Sequence, residues 1–279
     1  MFSTLIQYEC GVDVKRNGAW IPNFMKKKGK GLCSGVKNAE MGFFKKIAES
    51  LHAESLDCPL PSEFKYYDRN DFAEAFLRDP SVLRSLEVFS ESSQSWVPVG
   101  VPAEKVQISH VPCTVVSMNF FDKIKNEENG LVRGGYLTEC LDEYVDGMLL
   151  QENLRQMLVL DEHKSADLYT PAEKQQFIFR LFKHVCLGGA YYQRSDKLEP
   201  YLDLTKCLYK ELINVDKLPG KNELRVRSFV LQVVAYSANG DPLIPSDPDH
   251  VQDFLYLIID PVKRQVAALY HKFGPYALE

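Results

Sequence analysis

A chain of 279 residues, with 45% hydrophobic and 25% charged residues, can bury a core that needs neither disulfide nor metal. Its seven cysteines are never closer than 21 residues, which excludes CxxC zinc and redox pairs. The opening MFSTLIQYEC lacks the basic and long apolar regions of a secretory signal, and no apolar run approaches the roughly 18 residues of a membrane span. The cysteines are accordingly read as reduced thiols of a cytoplasmic protein.

Net charge is −5, but residues 1–46 hold nine Lys or Arg against three Asp or Glu, so that the remainder carries −11. A basic arm on an acidic body suits an anionic partner or a solvated loop. The dense stretch 25–31 has no aromatics to stack bases and no amphipathic period to lie on a bilayer, so neither nucleic acid nor membrane is expected. Lys26, Lys27, Lys28 and Lys30 are left as a candidate partner-binding patch.

In chain order, residues 4–8 suit a strand and 41–51 a helix with Phe43, Phe44, Ile47 and Leu51 on one face. A helix beginning at Asn70 or Asp71 buries Phe72, Phe76 and Leu77 and is stopped by Pro80, with a short helix over 81–89 to follow. Strands are expected at 95–100, 105–109 and 113–121 between proline-bearing turns, then a helix of about three turns through Leu149, Leu150, Leu154, Met157 and Leu158.

Thr170-Pro-Ala-Glu173 is a capping box with proline at the first helical position. The helix it opens presents Phe177, Ile178, Leu181, Phe182 and Val185 inward and closes at Gly188 or Gly189. His184 falls in its last turn, where the helix dipole favours a protonated imidazole. A helix with Tyr201, Leu204, Leu208, Tyr209 and Leu212 inward precedes strands at 224–236, 253–260 and 264–271, the last two joined by a tight turn at Asp260-Pro-Val-Lys263. Helices followed by a meander, without βα alternation, give an α+β class: helices packed on an antiparallel sheet, with a C-terminal antiparallel β-meander. Residues 1–65 read as a basic arm with a strand and a helix, docked on an α+β domain over 66–279.

Several stretches imitate chemistry. Gly29 to Lys37 misses the GxxxxGK[ST] phosphate-loop spacing. His184 and Cys186, two apart on a helix, point to opposite faces. His110 and Cys113 allow a nucleophile with a base, although a buried cysteine beside a strand is the plainer reading. The six histidines lack zinc spacings, and a calcium loop opened by Asp247 and Asp249 would place Val251 and Ile258 at ligand positions. No cofactor, metal or catalytic residue is nominated.

The segments VPCTVVSMNFF (111–121), LFKHVCLGGAYYQ (181–193), PYLDLTKCLYKEL (200–212) and IIDPVKRQVAALYH (258–271), with NDFAEAFLRDPSVL (70–83), together resemble the cilia- and flagella-associated protein 300 family from about residue 66 to residue 273. The resemblance implies a non-enzymatic adaptor for axonemal dynein arms, acting in cytoplasmic preassembly or in intraflagellar-transport-dependent delivery to motile cilia. Its implied partners are other dynein-arm assembly factors of the kintoun-like co-chaperone kind, dynein-arm subunits and the intraflagellar transport machinery. The alternative from the residues is an enzyme or small-ligand-binding protein with a site near His110 and Cys113.

Overall fold

The computed structural model describes residues 69–274, apart from 91, 94, 189–194, 219 and 264, and the backbone of four earlier strands. These are β1 (Ser3–Cys10), β2 (Val14–Arg16), β3 (Ala19–Ile21) and β4 (Phe24–Lys26). The strand expected over 4–8 is the middle of β1. The helix expected over 41–51 lies outside the described residues.

Helix α1 (Arg69–Arg78) buries Phe72, Phe76 and Leu77 as their spacing predicts. Pro80 then opens α2 (Pro80–Ser85), because the Asp79 carboxylate accepts the N–H groups of Ser81 and Val82 at 2.8 and 3.3 Å. The rest of the helix expected over 81–89 is instead β5 (Glu87–Ser90), whose Val88 and Phe89 pair across β6 (Ser95–Pro98) with Val97 and Trp96.

Strand β7 (Lys105–Val111) is as expected, but the strand over 113–121 does not form. Tertiary partners take its backbone groups: the Gln176 side chain accepts the Thr114 N–H at 3.0 Å, and the Tyr209 hydroxyl donates to the Val115 carbonyl at 2.8 Å. Met118–Phe121 closes as a 3-10 turn under a Ser117 cap and leads into α3 (Asp122–Lys125). A small hairpin, β8 (Val132–Arg133) with β9 (Tyr136–Leu137), precedes a longer one, β10 (Glu139–Val145) with β11 (Met148–Glu152).

That second hairpin corrects the helix expected through Leu149 and Leu150, which begins only at α4 (Asn153–Val159). Asp146 and Gly147 both have positive φ, 48° and 74°, the mirror-image turn that matches strand twist and that Asp-Gly favours. The single helix expected from the capping box is also two, α5 (Pro171–Gln175) and α6 (Phe177–Leu187). Gln176 is extended between them, and the Phe177 N–H donates to the Pro112 carbonyl at 2.8 Å.

Helix α7 (Glu199–Leu212) buries all five residues assigned to its inner face. The strand expected over 224–236 is two, because after β12 (Val215–Lys217) and β13 (Leu224–Val226) the Arg227 N–H and Ser228 hydroxyl tie back to Asn214 before β14 (Phe229–Tyr236) begins. β15 (Pro242–Ile244), β16 (Phe254–Asp260) and β17 (Gln265–His271) finish the chain. The Asp260 carboxylate accepts the Val262 and Lys263 N–H groups in the turn, both at 2.9 Å.

The main sheet runs β15-β14-β16-β17-β1-β4, with β7 on the other edge of β14, and every pairing is antiparallel. It is covered on both faces. Phe254, Tyr256 and Ile258 pack under α4, α6 and α7, while Leu255, Leu257 and Ile259 pack under α1 and α2. Double coverage is why β16 reads as an unbroken apolar run without period-2 alternation.

Gly188 ends α6 at φ 68° and ψ −155°, a region open almost only to glycine, while Gly189 lies outside the described residues. Its carbonyl also accepts from Gln252. Gly188→Val should lower unfolding free energy by about 1–3 kcal/mol. An unchanged urea midpoint would show that this conformation is not required.

Candidate functional site

The chemistry-bearing residues singled out in the sequence are structural in their contacts. The Cys113 thiol donates to the Tyr209 hydroxyl at 3.2 Å, which in turn donates to the Val115 carbonyl, and burial pushes that thiol up to about 11. Tyr209, and not His110, is the hydrogen-bond partner of Cys113. His110 sits near the end of β7, with its imidazole shifted down by desolvation and then by Arg69. Among the described residues no general base is placed to activate this thiol. Cys186 is buried and its thiol strongly raised by that burial.

Asp247 accepts the Asp249 N–H at 3.3 Å in a polar turn before β16. Among the described residues no group of His, Cys, Asp or Glu side chains could hold a metal ion. Of the lysine patch, Lys26 ends β4, and Lys27, Lys28 and Lys30 lie outside the described residues.

His184 departs from the dipole expectation. It is half-buried, and desolvation lowers its imidazole to about 3, so it is neutral. Phe254 lies over the ring at 3.8 Å between centroids. Nδ1 donates to the Gln252 amide oxygen at 2.7 Å and Nε2 accepts from Tyr256 at 2.9 Å. The Gln252 amide nitrogen caps the His184 and Gly188 carbonyls, and its backbone carbonyl accepts from His271, whose imidazole burial lowers to about 4. Gln252 thus satisfies the orphan carbonyls of α6 in place of a charged side chain.

A second buried knot centres on Arg155. Its guanidinium donates to the Cys186 carbonyl at 2.7 Å, the Glu152 carboxylate at 2.8 Å and the Tyr201 hydroxyl at 3.0 Å. It thereby joins β11, α4, α6 and α7.

Two features remain open to a partner. One is a cavity of about 330 Å³ between α5, α6, the end of α4 and the turn before β16. The other is the β10–β11 hairpin. Its inward residues Val145, Met148 and Leu150 pack on Leu187 and Phe273, which fixes it to the body. Its outward residues are Leu141, 91% exposed, and Tyr144, 72% exposed, flanked by Glu139, Asp142, Glu143 and Asp146. Among the described residues β10 pairs only with β11, and no described strand lies on its other edge. An unpaired edge bearing large apolar side chains is a template for another chain. The Asp146-Gly147 turn was the available sequence signal for this hairpin.

A family model described as Cilia- and flagella-associated protein 300 matches residues 52–271. A Chlamydomonas reinhardtii protein named Cilia- and flagella-associated protein 300 is 31% identical over 226 residues, covering 80% of this chain and 88% of that protein. One of the same name from Paramecium tetraurelia is 28% identical over 166 residues, 58% of this chain and 61% of that protein. No solved structure is significantly similar. Among the described residues no helix is long and apolar enough to cross a membrane. With about four fifths of its length matched by the family model and by the Chlamydomonas relative, the chain belongs to the cilia- and flagella-associated protein 300 family.

Proposed function

We propose that this chain is a non-enzymatic assembly factor for axonemal dynein arms, acting in the cytoplasm and in the motile cilium. Family membership supports the ciliary setting, and the dynein-arm role is what the resemblance of residues 66–273 implies. The observation that carries the binding reading is the edge of β10 that no described strand covers, with Leu141 and Tyr144 projecting from the hairpin. Apolar side chains at that exposure contribute nothing to the core, and their acidic flank suits a partner segment that carries lysine or arginine. Dynein-arm subunits, kintoun-like co-chaperones and the intraflagellar transport machinery are the partners we assign to it. Such a factor works by stabilising whichever intermediate it binds, to a degree set by its concentration over its affinity.

The test is recovery of partners from ciliated cells with tagged full-length protein and a Leu141→Ser/Tyr144→Ser variant. The variant should keep its melting temperature, because both side chains are outside the core, and should recover dynein-arm components at less than a tenth of the parent yield. Equal recovery would remove the hairpin from the proposal, and recovery of no dynein-arm component by the parent would remove the assembly role.

A further inference from the structure

The cavity beside α6 has a charge pattern that the adaptor role leaves unused. Its apolar wall is Met157, Leu158, Phe179 and Phe254. The same lining holds Lys174, Arg180 and Lys183. None of the three makes an ion pair with a carboxylate among the described residues. Arg180 is held by neutral amides instead, donating to Gln232 Oε1 at 2.5 Å and to the Gln175 side chain. Those contacts fix the guanidinium without neutralising it.

Lys183 is partly buried. Its ammonium is shifted down chiefly by burial, with Asp161 opposing that shift and Lys174 and Arg180 adding to it by repulsion. Three carboxylates also line the space. Asp253 is already engaged, since its oxygens accept the Phe273 N–H at 2.5 Å and the Ser246 hydroxyl at 3.4 Å. Asp161 and Asp249 are solvent-exposed, so the three carboxylates equal the three cations in number but two of them lie in water, where their charge is screened. His184, at the same wall, is neutral.

A half-open cavity that gathers three cations, with Arg180 held in place, beside aromatic and aliphatic side chains suits an anion that carries an apolar body. Size selects among such anions. A volume of about 330 Å³ is at the small end of ligand cavities, which run from about 300 to 1,000 Å³, and admits a small molecule rather than a folded or extended peptide. We propose that this cavity is a binding site for a small organic oxyanion, a phosphate or carboxylate on a short aromatic or aliphatic stem, with Lys183 and Arg180 taking the oxyanion and Phe179 and Phe254 the stem. The site is separate from the hairpin edge and does not depend on the dynein-arm proposal.

Phenyl phosphate titrated calorimetrically into the full-length protein tests this, with phenylacetate, inorganic phosphate and benzylamine as comparison probes. Saturable binding of phenyl phosphate or phenylacetate is expected, at least tenfold tighter than inorganic phosphate, which lacks the stem, and with no saturable heat from benzylamine. Lys183→Met, which keeps the length of the side chain, should weaken that binding at least tenfold. Asp161→Asn removes an exposed competing charge and should tighten it by about two- to threefold. Absence of saturable binding by both aromatic anions would overturn the proposal, as would benzylamine binding equally well. An affinity that neither Lys183→Met nor Asp161→Asn changes would do the same. If Lys183→Met does not fold, the Asp161→Asn result decides alone.

Discussion

Replacing Glu152 by alanine should lower the unfolding free energy by about 3–5 kcal/mol, among the largest losses available to a single substitution in this chain. Arg155 is 2% exposed and its guanidinium is 2.8 Å from the Glu152 carboxylate. Removing the carboxylate leaves a buried cation, and desolvating an unpaired charge costs several kcal/mol. Arg155 cannot respond by releasing its proton. Two further contacts among the described residues, the Cys186 carbonyl and the Tyr201 hydroxyl, are neutral acceptors and do not compensate the charge. The Glu152→Leu/Arg155→Met pair should lose less than Glu152→Ala does, because it removes both charges and keeps the volume. Urea unfolding of the three proteins measures the difference. A loss below about 1 kcal/mol for Glu152→Ala would mean that water reaches Arg155 and that it does not hold the helices together.

Acid should unfold the protein through two histidines. His184 and His271 are neutral in the fold, with imidazoles lowered by burial to about 3 and about 4 from the ordinary 6.5. A base lowered on folding is uncharged in both states above pH 6.5 and contributes no pH dependence there. As pH falls below 6.5 the unfolded chain takes up protons that the folded chain refuses, so stability declines until the folded values are reached. At pH 5 the deficit is about 2 kcal/mol for each histidine, or about 4 kcal/mol together. Asp253, which faces the same cluster, acts in the opposite sense. Its carboxyl is raised by burial, so its contribution is lost as pH rises through that raised value and returns on acidification. It offsets part of the loss only near the lower end of the range. Unfolding free energies at pH 7 and pH 5 test this, with His184→Gln/His271→Gln as the variant that should flatten the dependence. Equal stability at the two pH values would show that both imidazoles are protonated in the fold at pH 5.

His184 also shows where sequence reasoning stops. Its place in the last turn of a helix favours a cation by the local dipole, yet Phe254, Tyr256 and Gln252 come from residues about 70 positions away and make the pocket that keeps it neutral. Helices α6 and α7 were legible from their apolar faces and strands β16 and β17 from their apolar runs. The strand expected over 113–121 failed for the reason that His184 did. Gln176 and Tyr209 captured its backbone groups from distant elements. Residues 148–152 were misread locally, since Leu149 and Leu150 fit a helical period as well as a strand and the Asp146-Gly147 turn was the deciding signal. Neither the edge of β10 that no described strand covers nor the grouping of Lys174, Arg180 and Lys183 around a cavity could be read beforehand. Exposure and enclosure are properties of packing, and the same leucine or lysine codes for either.

The most direct test of the assembly role is the dynein heavy-chain content of axonemes isolated from ciliated cells that lack this chain. The account predicts cilia of near-normal length whose axonemes are depleted of outer-arm, and also inner-arm, heavy chains. The parent protein should restore that content, and so should Cys113→Ser and His110→Gln forms at equal level, since both residues are assigned to structure. Axonemes with full heavy-chain content in the absence of the chain would contradict the account, and rescue by the parent but not by a folded Cys113→Ser form would replace the adaptor with an enzyme.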